Sequence, residues 1–152
     1  MIISKHISYI EATSSFEAKR KQIENTPTEK QLEAMKYLAD NIFEKIRVYF
    51  GVPIKINSFF RSEKLNKVIG GTSSSQHVLG EAIDLDDTFG GLTNTQIFNY
   101  IKNNLIFDQL IWEFGTDKSP DWVHVSLKKT GKNRGEILVA KKINGKTKYI
   151  PF

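Results

Sequence analysis

Cysteine is absent from this 152-residue chain, and that absence removes disulfide scaffolds, thiolate-bound zinc, iron–sulfur clusters and cysteine nucleophiles together. Histidine is nearly as scarce, with three residues, so any transition-metal site must combine a few imidazoles with Asp or Glu. Four prolines and ten glycines are too few for a collagenous or low-complexity chain. No apolar run approaches the ~20 residues a membrane span needs. The start, Met1-Ile2-Ile3-Ser4-Lys5-His6, lacks the apolar core of a secretory signal. The expectation is a protein made in the cytoplasm, delivered by other means if its substrate lies outside.

What is present is the composition of a folded protein: 39% hydrophobic and 26% charged residues, enough to bury a core without staples. The length predicts a single domain over residues 1–152, expected to be monomeric. The net charge of +5 favours anionic partners, among them nucleic acid, lipid headgroups and cell wall. The basic residues are dispersed, with modest density only at Lys128–Lys132 and Lys141–Lys148, so no nucleic-acid partner is expected.

The patterning predicts a mixed α+β order. Asn25-Thr26-Pro27-Thr28-Glu29 is a helix start. Behind it Leu32, Met35, Leu38, Ala39, Ile42, Ile46 and Tyr49 recur every three or four residues, the stripe of an amphipathic helix ending near Gly51. Ile54–Phe59 and Ala82–Asp86 alternate as strands, and Arg61–Ile69 reads as a short helix. Asn94–Asn104 is a second amphipathic helix with Ile97, Ile101 and Leu105 on one side. Asp108–Phe114 and Trp122–Leu127 predict a strand pair around a polar loop with Pro120. Two further strands flank Asn144-Gly145, a hairpin turn.

Two histidines sit among other polar residues. His77 ends a Gly/Ser-rich loop in Ser75-Gln76-His77-Val78-Leu79-Gly80, and the chain then enters Glu81-Ala82-Ile83-Asp84. An Asp in an apolar strand is costly unless it is paired or binds a cation, and Ala82 on the same face leaves room. His124 lies in a second alternating strand, sharing its face with Trp122 and Ser126. Two imidazoles and a carboxylate are a suitable three-ligand set for Zn2+ with one position open. The residues by themselves leave the alternative standing: ordinary strand histidines, and an Asp84 paired with one of the 22 cationic side chains.

Ser75, His77, Gly80, Ala82 and Asp84 form the pattern Ser-x-His-x-x-Gly-x-Ala-x-Asp. With it come Asp121 three residues before His124, and Ser58-Phe59-Phe60-Arg61-Ser62 after a strand. Together they resemble the zinc D-alanyl-D-alanine carboxypeptidase and dipeptidase family, which includes phage endolysin peptidases and shares its fold with the hedgehog signalling domain. The resemblance implies an α+β fold, with a small antiparallel sheet and flanking helices. It implies His77, Asp84 and His124 as zinc ligands, Asp121 as general base, Arg61 as a catalytic and substrate-binding cation, and Ser75 as a substrate contact. Many members carry Glu where this chain has the shorter Asp121, so Glu113 is the rival base, and Asp86 a candidate to orient a ligand. His6 lies outside every motif and reads as non-catalytic.

The implied activity is zinc-dependent hydrolysis of peptide bonds in bacterial peptidoglycan stem peptides, as a carboxypeptidase or an endolysin-type endopeptidase. Its expected setting is phage lysis of the wall or a cytoplasmic D-dipeptidase. The competing expectation is a non-catalytic domain of the same fold, either zinc-binding or a virion structural, wall-binding component.

Overall fold

The computed structural model describes residues 1–152. Strands β1 (Ile2–Ser4) and β2 (Ile7–Ser8) form a small antiparallel pair, followed by short helices α1 (Tyr9–Thr13) and α2 (Phe16–Arg20). Helices α3 (Glu29–Leu38) and α4 (Glu44–Phe50) are joined by a π-helical turn, Ala39–Phe43. After β3 (Lys55–Ser58) come α5 (Glu63–Val68), a 3-10 turn at Gln76–Leu79, β4 (Ala82–Asp86) and α6 (Asn94–Asn104). Strands β5 (Gln109–Glu113), β6 (Trp122–Ser126), β7 (Glu136–Ile143) and β8 (Lys146–Pro151) complete the chain.

β3 to β8 make one six-stranded sheet in the order β3-β4-β6-β5-β7-β8. The α+β class is the expected one, with one departure: β7 runs parallel to β5, so the sheet is mixed. The loop after β6 recrosses the sheet end to reach β7, and the buried Asp108 holds it there. Asp108 accepts bonds from the Arg134 backbone N–H at 3.0 Å and from its guanidinium at 3.0 and 2.7 Å. The hairpin turns on Asn144 and Gly145, both at positive φ (52° and 75°), as a two-residue turn with matched twist requires.

Alternation divides the sheet into two faces. Ile83, Leu85, Leu110, Trp112, Val123 and Val125 join the core with Met35, Leu38, Ile42, Ile97, Phe98 and Ile101 from the helices. The expected stripe on the first long helix holds from Met35 to Ile46 and then shifts. Tyr49 is 68% exposed, and Phe50 packs against the core instead. The π turn widens the winding there, so the buried face runs through Ile42 and Ile46 and continues four residues on at Phe50 rather than at Tyr49.

Side chains cap the helices that begin after a loop. Thr28 and Gln31 form a reciprocal capping box on α3, as do Thr93 and Gln96 on α6. Ser15 caps α2 and Ser62 caps α5. No helix is long and apolar enough to cross a membrane.

Candidate active site

The other sheet face carries the polar residues. Register sets Asp84 directly opposite His124, Ser58 opposite Asp84, Ile111 opposite His124, and Glu113 opposite Trp122. Side chains directly opposite in a ladder lie on the same face, so Asp84, His124 and Glu113 share it by construction. His77 arrives from the 3-10 turn above β4. The ligand-type atoms of His77, Asp84 and His124 all lie within 4.8 Å of one another, with His77 Nε2 3.2 Å and His124 Nδ1 2.9 Å from the two Asp84 oxygens.

The turn that presents His77 is fixed from several sides. His77 Nδ1–H donates to the Phe59 carbonyl at 2.7 Å, and the His77 carbonyl accepts from Arg61 N–H at 3.3 Å. Gln31, at the start of α3, donates to the Val78 carbonyl at 3.0 Å. Gly80 closes the turn at φ 73°. A Cβ there would sit 2.6 Å from the Gln31 carbonyl oxygen and 2.9 Å from Met35 Cγ, so the motif glycine answers both a left-handed conformation and a close helix approach.

Burial and charge set the protonation states. Burial pushes the His77 imidazole below its ordinary range, with the Asp84 carboxylate opposing. Burial alone would raise Asp84, but His77 and the hydrogen bond from His124 outweigh it and hold the carboxyl far below the usual range. Those effects hold while His77 carries both ring protons; with Nδ1–H committed to Phe59, loss of the second proton turns the lone pair of Nε2 toward an Asp84 oxygen. Two acceptors 3.2 Å apart repel unless something positive lies between them. A divalent cation satisfies that arrangement, and the donor set of two imidazoles and a carboxylate suits zinc. The bond from His77 to the Phe59 carbonyl is the kind of outer contact that orients a metal-binding imidazole.

Arg61 lies against the cluster with its side chain 18% exposed. Its guanidinium donates to Ser58 Oγ at 3.0 Å, to Asn66 Oδ1 at 3.5 Å and to Asp84 Oδ2 at 3.4 Å. Ser75 makes no capping bond with its side chain and lines the same cavity, of about 470 Å³, with Arg61, His77, Asp84, His124 and Glu113.

The structure does not bring Asp121 into this constellation. Asp121 lies one residue before β6, where alternation sets it with Val123 and Val125 rather than with His124. Its side chain is exposed, and it does not line the cavity although its neighbour Trp122 does. An odd spacing of three along extended chain sets the two side chains on opposite faces, so Asp121 lies apart from the side chains that His124 joins. Glu113 is the buried acid, 6% exposed. Burial pushes its carboxyl up to about 7, Asp84 adds to the rise, and His124 and Arg61 oppose it.

Asp86 is also elsewhere. It accepts from Asn94 Nδ2 at 2.8 Å and from the Thr88 hydroxyl, tying the end of β4 to α6 rather than orienting an imidazole. His6 pairs with Glu44 at 2.6 Å, away from the cavity. Leu138, Thr147 and Tyr149 from the C-terminal hairpin line the cavity, and nothing in the sequence signalled them, since their place depends on the β5–β7 pairing.

A family profile described as Peptidase M15 matches residues 5–126. No curated protein matches the chain.

Proposed function

This chain belongs to the peptidase M15 family, and we propose that it hydrolyses peptide bonds in bacterial peptidoglycan stem peptides. M15 peptidases are zinc-dependent, and the family implies a peptide substrate. One observation carries the reading: His77, Asp84 and His124 converge in a cavity that also holds a buried acid, Glu113.

In this reading His77, Asp84 and His124 would hold the zinc. When bound, the metal supplies a Lewis acid that polarises the scissile carbonyl and lowers the pKa of water from 15.7 towards about 7. Glu113 accepts the proton of the attacking water and returns it to the departing amine; a carboxylate with its pKa raised towards neutrality is matched to both transfers. Arg61 donates to the oxygen that gains negative charge as the tetrahedral intermediate forms. Ser75 offers a hydroxyl to the substrate backbone from the loop above. A buried acid beside the ligands with its carboxyl raised to about 7 favours the catalytic reading over a non-catalytic domain.

The setting we propose is the cell wall, reached after release, as for a phage lysis enzyme. The +5 charge suits approach to an anionic wall. Digestion of purified peptidoglycan by the zinc-loaded protein, with new termini identified by mass spectrometry, tests the proposal. Release of terminal D-Ala alone marks a carboxypeptidase, and new termini within the stem mark an endopeptidase. No new termini from a protein carrying zinc would reject the function.

A further inference from the structure

The cavity has a wall that the family match does not reach. The match ends at residue 126, whereas β7 and β8 span Glu136–Pro151. This hairpin is an integral part of the sheet. Five residues of β7 pair with β5, and the Phe152 ring packs 4.9 Å from Phe98 and 5.9 Å from Trp112 on the opposite face.

Register places one residue of the hairpin in line with the buried acid. Glu113 is opposite Ala140, and Ala140 is opposite Tyr149, so the three form a row across β5, β7 and β8 on one face. The Cα atoms at the ends of the row are two strand spacings apart, about 10 Å. Between them stands only the methyl group of Ala140, fully buried, so the phenol can lie across it toward the cavity that Tyr149 lines. Arg61 bounds the same cavity from the β3 side.

We propose that Tyr149 is a substrate-binding residue whose hydroxyl donates a hydrogen bond to a carbonyl oxygen of the bound peptide, on the Glu113 side of the cavity. The hydroxyl makes no hydrogen bond within the protein that would compete. Burial, with Glu113 and Asp84 nearby, raises the phenol above its ordinary range, which keeps it a donor. The inference rests on the peptide-substrate reading above, but it assigns a role to an element outside the family match.

The test measures binding rather than turnover. A Glu113→Gln protein, zinc-loaded, is titrated calorimetrically with a synthetic stem pentapeptide, with and without Tyr149→Phe and Tyr149→Ala. One neutral hydrogen bond lost predicts about tenfold weaker binding for Tyr149→Phe. The melting temperature should hold, because the side chain is half-exposed. In the otherwise wild-type protein the same change should raise KM and leave kcat within about twofold, the signature of uniform binding. Equal affinities for the Phe variant and its parent, or weakening confined to the Ala variant, would overturn the hydroxyl's role. Failure of the wild type to cleave any stem peptide would strike the peptidase reading alone, since peptide binding would still report on Tyr149. No binding by the parent would overturn both.

Discussion

Asp84 and His124 are direct partners in the β4–β6 ladder, with imidazole Nδ1 2.9 Å from carboxylate Oδ1. Two residues forty apart in sequence are thus fixed by backbone hydrogen bonds before any ligand arrives. A site built on adjacent strands keeps its geometry without a metal, which makes metal uptake a binding event and not a folding event.

Metal loading is the first consequence. Native mass spectrometry should find about one zinc per chain, and His77→Ala, Asp84→Asn and His124→Ala should each lose it. Because zinc binds only the folded state, excess at 100 times its dissociation constant should stabilise the protein by about 2.7 kcal/mol. The same addition should leave the melting temperature of Asp84→Asn unchanged.

The two candidate acids separate by mutation. Glu113→Gln should lower kcat by about 10²- to 10⁴-fold, the range for loss of a general base, with zinc content unchanged. Asp121→Asn should stay within about twofold of wild type, since its side chain is exposed and outside the cavity. A collapse of wall-peptide cleavage in Asp121→Asn would reverse the assignment.

Gly80 should resist substitution. Alanine there would carry a left-handed φ of 73° and a Cβ 2.6 Å from the Gln31 carbonyl. Backbone strain of this kind costs about 1–3 kcal/mol, and the clash with α3 adds to it. Urea unfolding of Gly80→Ala should show the loss, accompanied by weaker zinc binding because the His77 turn must move.

Asp108 supplies an acid-dependent part of the stability. Its carboxylate is fully buried, and burial alone would raise its pKa. The hydrogen bonds from Arg134 and Gln76 outweigh that and hold it well below the ordinary range. A depressed folded pKa stabilises the protein fully above the unfolded value, near 3.9, and that contribution fades as pH falls below it. Urea midpoints at pH 7 and pH 3 should therefore differ more in the wild type than in Asp108→Asn. Arg134→Ala removes the guanidinium bonds but leaves the backbone N–H and Gln76 on the carboxylate, and should cost about 1–2 kcal/mol at pH 7.

Local chemistry wrote much of this into the chain. The capping boxes at Thr28 and Thr93, the Asn144-Gly145 turn and the strand alternation around Asp84 and His124 follow from neighbours within a few residues, where propensity and side-chain direction act. The spacing from His77 through Gly80 to Asp84 was legible for the same reason: one turn and one strand suffice to bring the first two ligand candidates together. Pairing was not legible. That Glu113 faces the cavity while Asp121 faces away depends on the β5–β6 register and the strand parity at His124, and the π turn that exchanged Tyr49 for Phe50 is a matter of packing. The approach of Tyr149 required β7 to cross back beside β5 over the Asp108 anchor, a contact between distant segments that no local pattern encodes. Residue type and short-range spacing were sufficient to nominate the chemistry, and the hydrogen-bonded order of the strands decided which acid, and which wall, meets it.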